Sequence, residues 1–174
     1  MVRTTAKLLT LVAGLTLSGQ AFAQASDSET TNASVTLAQA IDVTENTALQ
    51  FGNVAKGTTG SNTVTINATS GARTLGGGGN AALVTGTTAT RAAYTVTGQA
   101  DATFSITITD NTIDLTGPGS GSLALTLNSS AATGTLTAGT ATFGIGGVLT
   151  IDNTDADDVA GAYTGTFEVT TAYN

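Results

Sequence analysis

The last fourteen residues alternate from end to end: Gly161, Tyr163, Gly165, Phe167, Val169, Thr171 and Tyr173 on one parity, Ala162, Thr164, Thr166, Glu168, Thr170 and Ala172 on the other. Successive side chains of a strand point to opposite faces, so this pattern predicts a long strand with one apolar, aromatic face and one polar face. Such a face needs a cover. Whether this chain or another one supplies it decides what the protein is for.

The rest of the sequence reads the same way. Threonine and glycine dominate, with 22 glycines and a single proline, and the strong helix formers are sparse. Val35, Leu37, Ile41 and Val43 share a parity in the first alternating segment, residues 33–43. In ALQFGNVAKG, Leu49 and Phe51 share a face and Gly52 marks a bulge or a close backbone approach. Val64 with Ile66, Tyr94 with Val96, and Leu123 with Leu125 and Leu127 follow the same rule. In TFSITITDNTIDLT, a two-residue turn at Asp110-Asn111 would place Ile108 opposite Ile113 and Ile106 opposite Leu115, which predicts a hairpin over 103–116. Val148 falls out of step with Phe143, Ile145, Leu149 and Ile151, so Gly146-Gly147 is read as a kink or bulge. About ten strands separated by turn residues predict an all-β, immunoglobulin-like antiparallel β-sandwich, with a closed β-barrel as the alternative.

The N-terminus has a different character. Arg3 and Lys7 precede the apolar run LLTLVAGLTL, and Ala21-Phe22-Ala23 supplies the small residues of a cleavage site. The run is too short to span a bilayer, so residues 1–23 are expected to be a signal peptide, cleaved after Ala23 or, as second choice, Ala25. Residues 24–32 form a polar leader without periodicity, and 33–174 a single domain. The expected location is the periplasm, the cell surface or the extracellular medium, with no membrane insertion after cleavage.

Charge and chemistry narrow the function. Beyond the expected signal peptide only Lys56, Arg73 and Arg91 oppose 12 acidic residues, a net charge of −9, which argues against nucleic acid as a partner. Cysteine and histidine are both absent, which removes thiolate and Ser-His-Asp nucleophiles, disulfide scaffolds and the usual zinc sites. With no Trp there is also little to stack on sugars. No enzyme activity is expected and no catalytic residue is assigned. The four glycines of SGARTLGGGGN lack the Lys-Ser/Thr of a phosphate loop and read as a flexible loop. In DNTDADD, Asp152, Asp155, Asp157 and Asp158 are candidate ligands for Ca²⁺, the only cofactor the residues suggest, although the loop lacks the glycine and terminal glutamate of an EF-hand.

Taken in order, ALQFGNVAKG, SGARTLGGGG, RAAYTVTG, TFSITI, IGGVLTI and GAYTGTFEVTTAYN resemble the bacterial family known as domain of unknown function 4402, over roughly residues 38–174. More distantly, the chain is similar to chaperone-usher pilus subunits and spore-coat-protein-U-like secreted proteins. They share a glycine fourteenth from the C-terminus, alternating apolar residues and a penultimate aromatic, here Gly161, Tyr163, Phe167, Val169 and Tyr173. That resemblance implies a groove beside the last strand, filled by the N-terminal extension of a neighbouring subunit. It departs from most such subunits in having no cysteine pair. The expectation is a pilin-like structural or adhesion subunit whose partners are copies of itself or a periplasmic chaperone. Val35, Leu37, Ile41 and Val43 would be the donated side chains. The alternative is a self-complete secreted module that binds Ca²⁺ or a glycan, with 33–43 as its own strand.

Overall fold

The computed structural model describes residues 26–174. The expected signal peptide, residues 1–23, lies outside the described residues. Residues 26–36 carry no regular secondary structure, and all of their side chains are exposed. The compact unit of interest runs over Leu37–Asn174.

That unit is all-β, with twelve strands. In chain order they are β1 (Asp42–Thr47), β2 (Val54–Ala55), β3 (Ser61–Ile66), β4 (Arg73–Gly77), β5 (Ala82–Leu83), β6 (Ala92–Thr97), β7 (Thr103–Ile108), β8 (Thr112–Thr116), β9 (Ser122–Ser129), β10 (Thr133–Thr135), β11 (Thr140–Asp152) and β12 (Val169–Tyr173). Every pairing is antiparallel. A seven-stranded sheet runs β1-β6-β11-β3-β4 and carries β9 on β11 and β8 on β9; β10-β7-β12 form a second sheet and β2-β5 a short ribbon. The result is the β-sandwich that the alternation predicts.

The long strand β11 organises the larger sheet. Residues 140–145 pair with β6, 145–149 with β9 and 147–152 with β3, so one strand serves three partners and the sheet curls around it. Phe143, Ile145, Leu149 and Ile151 point inward on one parity, and β11 runs through Gly146-Gly147 in unbroken register. No bulge interrupts the strand there. Gly146 answers to a different demand: a Cβ there would stand 2.6 Å from the amide nitrogen of Ala68, because the chain leaving β3 crosses that face.

The smaller sheet closes over the larger one. Phe104 and Ile106 of β7 join Val96, Leu127, Leu136 and Ile145 in one core, and the rings of Tyr94 and Phe143 stack with centroids 5.1 Å apart. The predicted 103–116 hairpin does not form. Strand β7 pairs with β10 and β12, while β8 pairs with β9, Ile113 facing Leu125 and Leu115 facing Leu123. Ile106 and Ile108 share a parity, as do Ile113 and Leu115, but the chain crosses from one layer to the other at Asp110-Asn111. The apolar sets meet across the core, not across a turn.

The glycine-rich loop is also more ordered than its composition suggests. Thr74, Leu75 and Gly76 pair with Thr65, Val64 and Thr63. Beyond them, Gly79 packs against the side chains of Asn62 and Asn153. These two asparagines are buried and bonded to each other at 2.7 Å. Asn62 also reaches Gly76 O and Ala81 N, and Asn153 reaches Gly57 N and Thr59 O. The pair satisfies otherwise orphaned main-chain groups of the two connections that flank β3 and β4, where β3 begins and β11 ends.

Candidate functional site

Near this end of the sandwich the core is not fully covered. A groove of about 840 Å³ opens between two stretches of chain, 49–56 on one side and 158–167 on the other. Its floor is the inward face of the larger sheet, including Leu125, Leu149 and Ile151, and Phe51, Tyr163 and Phe167 stand in its walls. The floor residues Leu125, Leu149 and Ile151 are themselves buried, and Phe51, Tyr163 and Phe167 in the walls are half-buried; an apolar channel of this size beside them is what marks the site.

The C-terminal stretch supplies one wall. Its side-chain alternation is as predicted: Tyr163, Phe167, Val169, Thr171 and Tyr173 are half-buried, and the residues between them are exposed. Its pairing is not that of one long strand. Thr164 exchanges both main-chain hydrogen bonds with Thr116 of β8, at 2.8 and 3.0 Å, and the chain then changes layers to pair with β7 over 169–173. Because Thr164 directs its N–H and C=O toward β8, its neighbours Tyr163 and Gly165 direct theirs the opposite way. Neither residue, nor Phe167, forms a main-chain hydrogen bond to other backbone among the described residues. The groove therefore has an apolar floor and, at Tyr163, Gly165 and Phe167, main-chain groups without a backbone partner among the described residues.

The predicted site residues divide into three groups. Gly161, Tyr163 and Phe167 line the groove. Val169 and Tyr173 lie beyond it in β12, opposite Ile108 and Phe104. The expected donor segment splits: Ile41 and Val43 pack against this chain's own core, with Val43 opposite Val96 in β6, whereas Val35 and Leu37 are 84% and 87% exposed. Tyr173 marks the division. Its hydroxyl donates to Gln39 O at 2.8 Å and accepts from Gln99 N at 2.6 Å, and Gln99 Oε1 accepts from Gln39 N at 3.4 Å. Gln39 is thus held from both sides.

The acidic loop is arranged around a lysine. The Lys56 ammonium donates to the main-chain carbonyls of Asp155 and, at 2.7 Å, of Asp158. Asp152 accepts from the Thr154 hydroxyl at 2.7 Å and amide at 2.9 Å, which holds its carboxyl below the usual carboxylate range. Asp155 accepts from Asp157 N at 2.9 Å. Among the described residues, no three acidic side chains converge as metal ligands. Asp158 differs from the others. It is buried, it lines the groove, and its Oδ1 has no hydrogen-bond partner. Burial, and then the charges of Asp158 and Asp155, raise the pKa of the Tyr163 phenol, which donates to Val159 O at 2.9 Å. Sequence reasoning found the walls through their alternation. It missed Asp158 as distinct from its acidic neighbours, since nothing in DNTDADD says which carboxylate turns inward.

No curated protein and no solved structure matches this chain. Over residues 41–173 it matches the model of the family described as Domain of unknown function (DUF4402), and the chain belongs to that family.

Proposed function

We propose that this protein is an exported, non-enzymatic structural subunit of a cell-surface or extracellular assembly, in which copies join by strand donation. The supporting observation is the groove itself: half-buried apolar walls at Phe51, Tyr163 and Phe167 beside main-chain groups of Tyr163, Gly165 and Phe167 that have no backbone partner among the described residues. An extended segment laid along 161–167 would gain main-chain hydrogen bonds and set every second side chain on the groove floor. The chain carries such a segment, for Val35 and Leu37 share a parity and are its most exposed large apolar residues among those described.

Magnitudes indicate what kind of joint this makes. Ile41 and Val43 are engaged in their own domain, so two apolar side chains remain to be donated, together contributing about 3–6 kcal/mol when fully buried. Ordering a free segment costs about 2–5 kcal/mol. Side chains alone therefore roughly break even, and the main-chain hydrogen bonds decide the affinity. The expected joint is reversible and depends on concentration.

Light scattering coupled to size exclusion tests this on the exported protein. Oligomers that grow with concentration, and that are lost in a Val35→Asp/Leu37→Asp variant of unchanged melting temperature, are the expected result. A monodisperse monomer at every concentration would overturn strand donation. A second reading, a self-complete secreted binding module, is favoured by the docking of Ile41 and Val43 on their own core and the tie between Gln39 and Tyr173. It predicts that monomer.

A further inference from the structure

Four large apolar side chains are exposed among the described residues: Val35 and Leu37 in the N-terminal segment, and Val84 and Val159, which are 39% and 45% exposed. The second two both line the groove. Exposed apolar residues scattered singly are ordinary, but these four fall into two groups, one on the free segment and one on the groove. Local structure holds the groove pair in place. Val84 donates its N–H to Asn53 O at 3.1 Å, while Val159 donates to Asp157 O at 2.9 Å and its carbonyl accepts from the Tyr163 hydroxyl at 2.9 Å. Val84 is thus fixed to the wall 49–56, and Val159 belongs to the wall 158–167. Between them the groove also presents exposed, uncharged polar side chains, Gln50, Asn53, Thr87 and Thr164, and its one cation, Lys56, is engaged by the carbonyls of Asp155 and Asp158. Such a lining suits an uncharged strand that alternates apolar with hydroxyl side chains.

We infer that Val84 and Val159 are the residues against which Val35 and Leu37 of a second copy dock. This rests on the reading of the chain as a strand-donating subunit. Residues 30–37, TTNASVTL, are uncharged, and Ser34 and Thr36 alternate with Val35 and Leu37. Chain length excludes the copy's own segment as the occupant. Strand β1 runs in the same direction as β11, with Asp42, Thr97 and Thr140 in register across β6. The chain before Asp42 therefore leaves past the start of β11, where Gln39 is held by Gln99 and Tyr173. The groove floor holds Leu149 and Ile151, toward the other end of β11. Thr140 and Leu149 are nine residues apart, about 30 Å along a strand, whereas the four residues from Gln39 to Val35 span at most about 14 Å. Donor and groove lie toward opposite ends of the sandwich, so each segment reaches only a neighbour's groove.

The chain has no cysteine, so introduced thiols report contacts without background. A tagged Leu37→Cys protein is mixed with untagged Val84→Cys, Val159→Cys or, as a control at the exposed far end, Ala100→Cys, and oxidised. The expected result is a mixed disulfide dimer with each groove cysteine and none above background with Ala100→Cys. In parallel, Val84→Asp and Val159→Asp should each weaken self-association by about tenfold or more, since each sets a charge in an apolar contact, and leave the melting temperature unchanged, as exposed positions allow. Should an Asp variant melt earlier, the cross-link decides. Mixed dimers no more abundant with the groove cysteines than with Ala100→Cys would overturn the inference, as would self-association of both Asp variants within twofold of wild type. So would a Leu37→Cys/Val159→Cys protein that closes its disulfide within one chain at high dilution. If wild type does not self-associate at any concentration, strand donation itself falls and this inference with it. Assembly by wild type that ignores both groove positions removes only the inference.

Discussion

At the scale of single residues, Asp152 and Asp158 show how one loop assigns different roles to one residue type. Asp152 is fully exposed and accepts two hydrogen bonds from Thr154, which favour its charged form. Its folded pKa lies below its unfolded one, so the small stability it contributes is present above about pH 4 and is lost as the pH falls through the folded value. Thr154→Val removes the hydroxyl donor. An NMR titration of the Asp152 carboxyl carbon should then show its midpoint moving up toward the ordinary range while those of Asp101 and Asp110 stay in place. A shared upward movement would mean that the loop had rearranged and that Thr154 is not the specific cause.

At the scale of elements, the central fact is that β11 is read by three neighbours and crossed by a fourth stretch of chain. The face of β11 that carries Gly144 and Gly146 has the Ala68 backbone lying directly on it. A methyl group at Gly146 meets main chain, not a movable side chain, so Gly146→Ala should destabilise by about 3 kcal/mol, readable as a lower midpoint of urea unfolding. A loss below about 0.5 kcal/mol would show that the crossing segment yields easily. This strand also marks how far the sequence could be read. The inward parity of Phe143, Ile145, Leu149 and Ile151 was plain from alternation, as were the inward residues of β3, β6, β7 and β9. Partners were harder. Ile106 and Ile108 fit Ile113 and Leu115 across a turn as well as they fit their actual neighbours, because alternation fixes which face a residue occupies and not which strand lies beside it. Gly79, just past β4, and Gly146 of β11 elude sequence reading for a related reason. Their requirement comes from chain distant in sequence, Asn153 in one case and Ala68 in the other. The groove was legible in half: the terminal alternation announced a strand in need of a cover, but the free edge at Tyr163 and Gly165 follows from the change of layers between Thr164 and Val169, which no local pattern records.

At the scale of the molecule, the domain keeps Ile41 and Val43 for itself and leaves Val35 and Leu37 exposed, and the boundary is Gln39 under the Tyr173 hydroxyl. Tyr173→Phe deletes a donor to Gln39 and an acceptor for Gln99 at a half-buried site that water can reach, so the expected loss is about 1 kcal/mol of stability. Hydrogen exchange should show faster exchange at Gln99, with the amides of β6 and β11 unaffected. Uniformly faster exchange would mean that Tyr173 supports the whole fold and not this junction. Donor segment and groove belong to different parts of one chain, so a joint built from them is heterologous and adds copies in one direction unless its rotation closes a ring. The Tyr173 tie gives such growth an order in time. The residue that fixes the base of the N-terminal segment belongs to β12, so that base gains its anchor only when β12 has docked on β7. A copy whose β12 is undocked would present Val35 and Leu37 on a segment without that tie. On the strand-donation proposal, docking of β12 and competence to join a neighbour would become the same event.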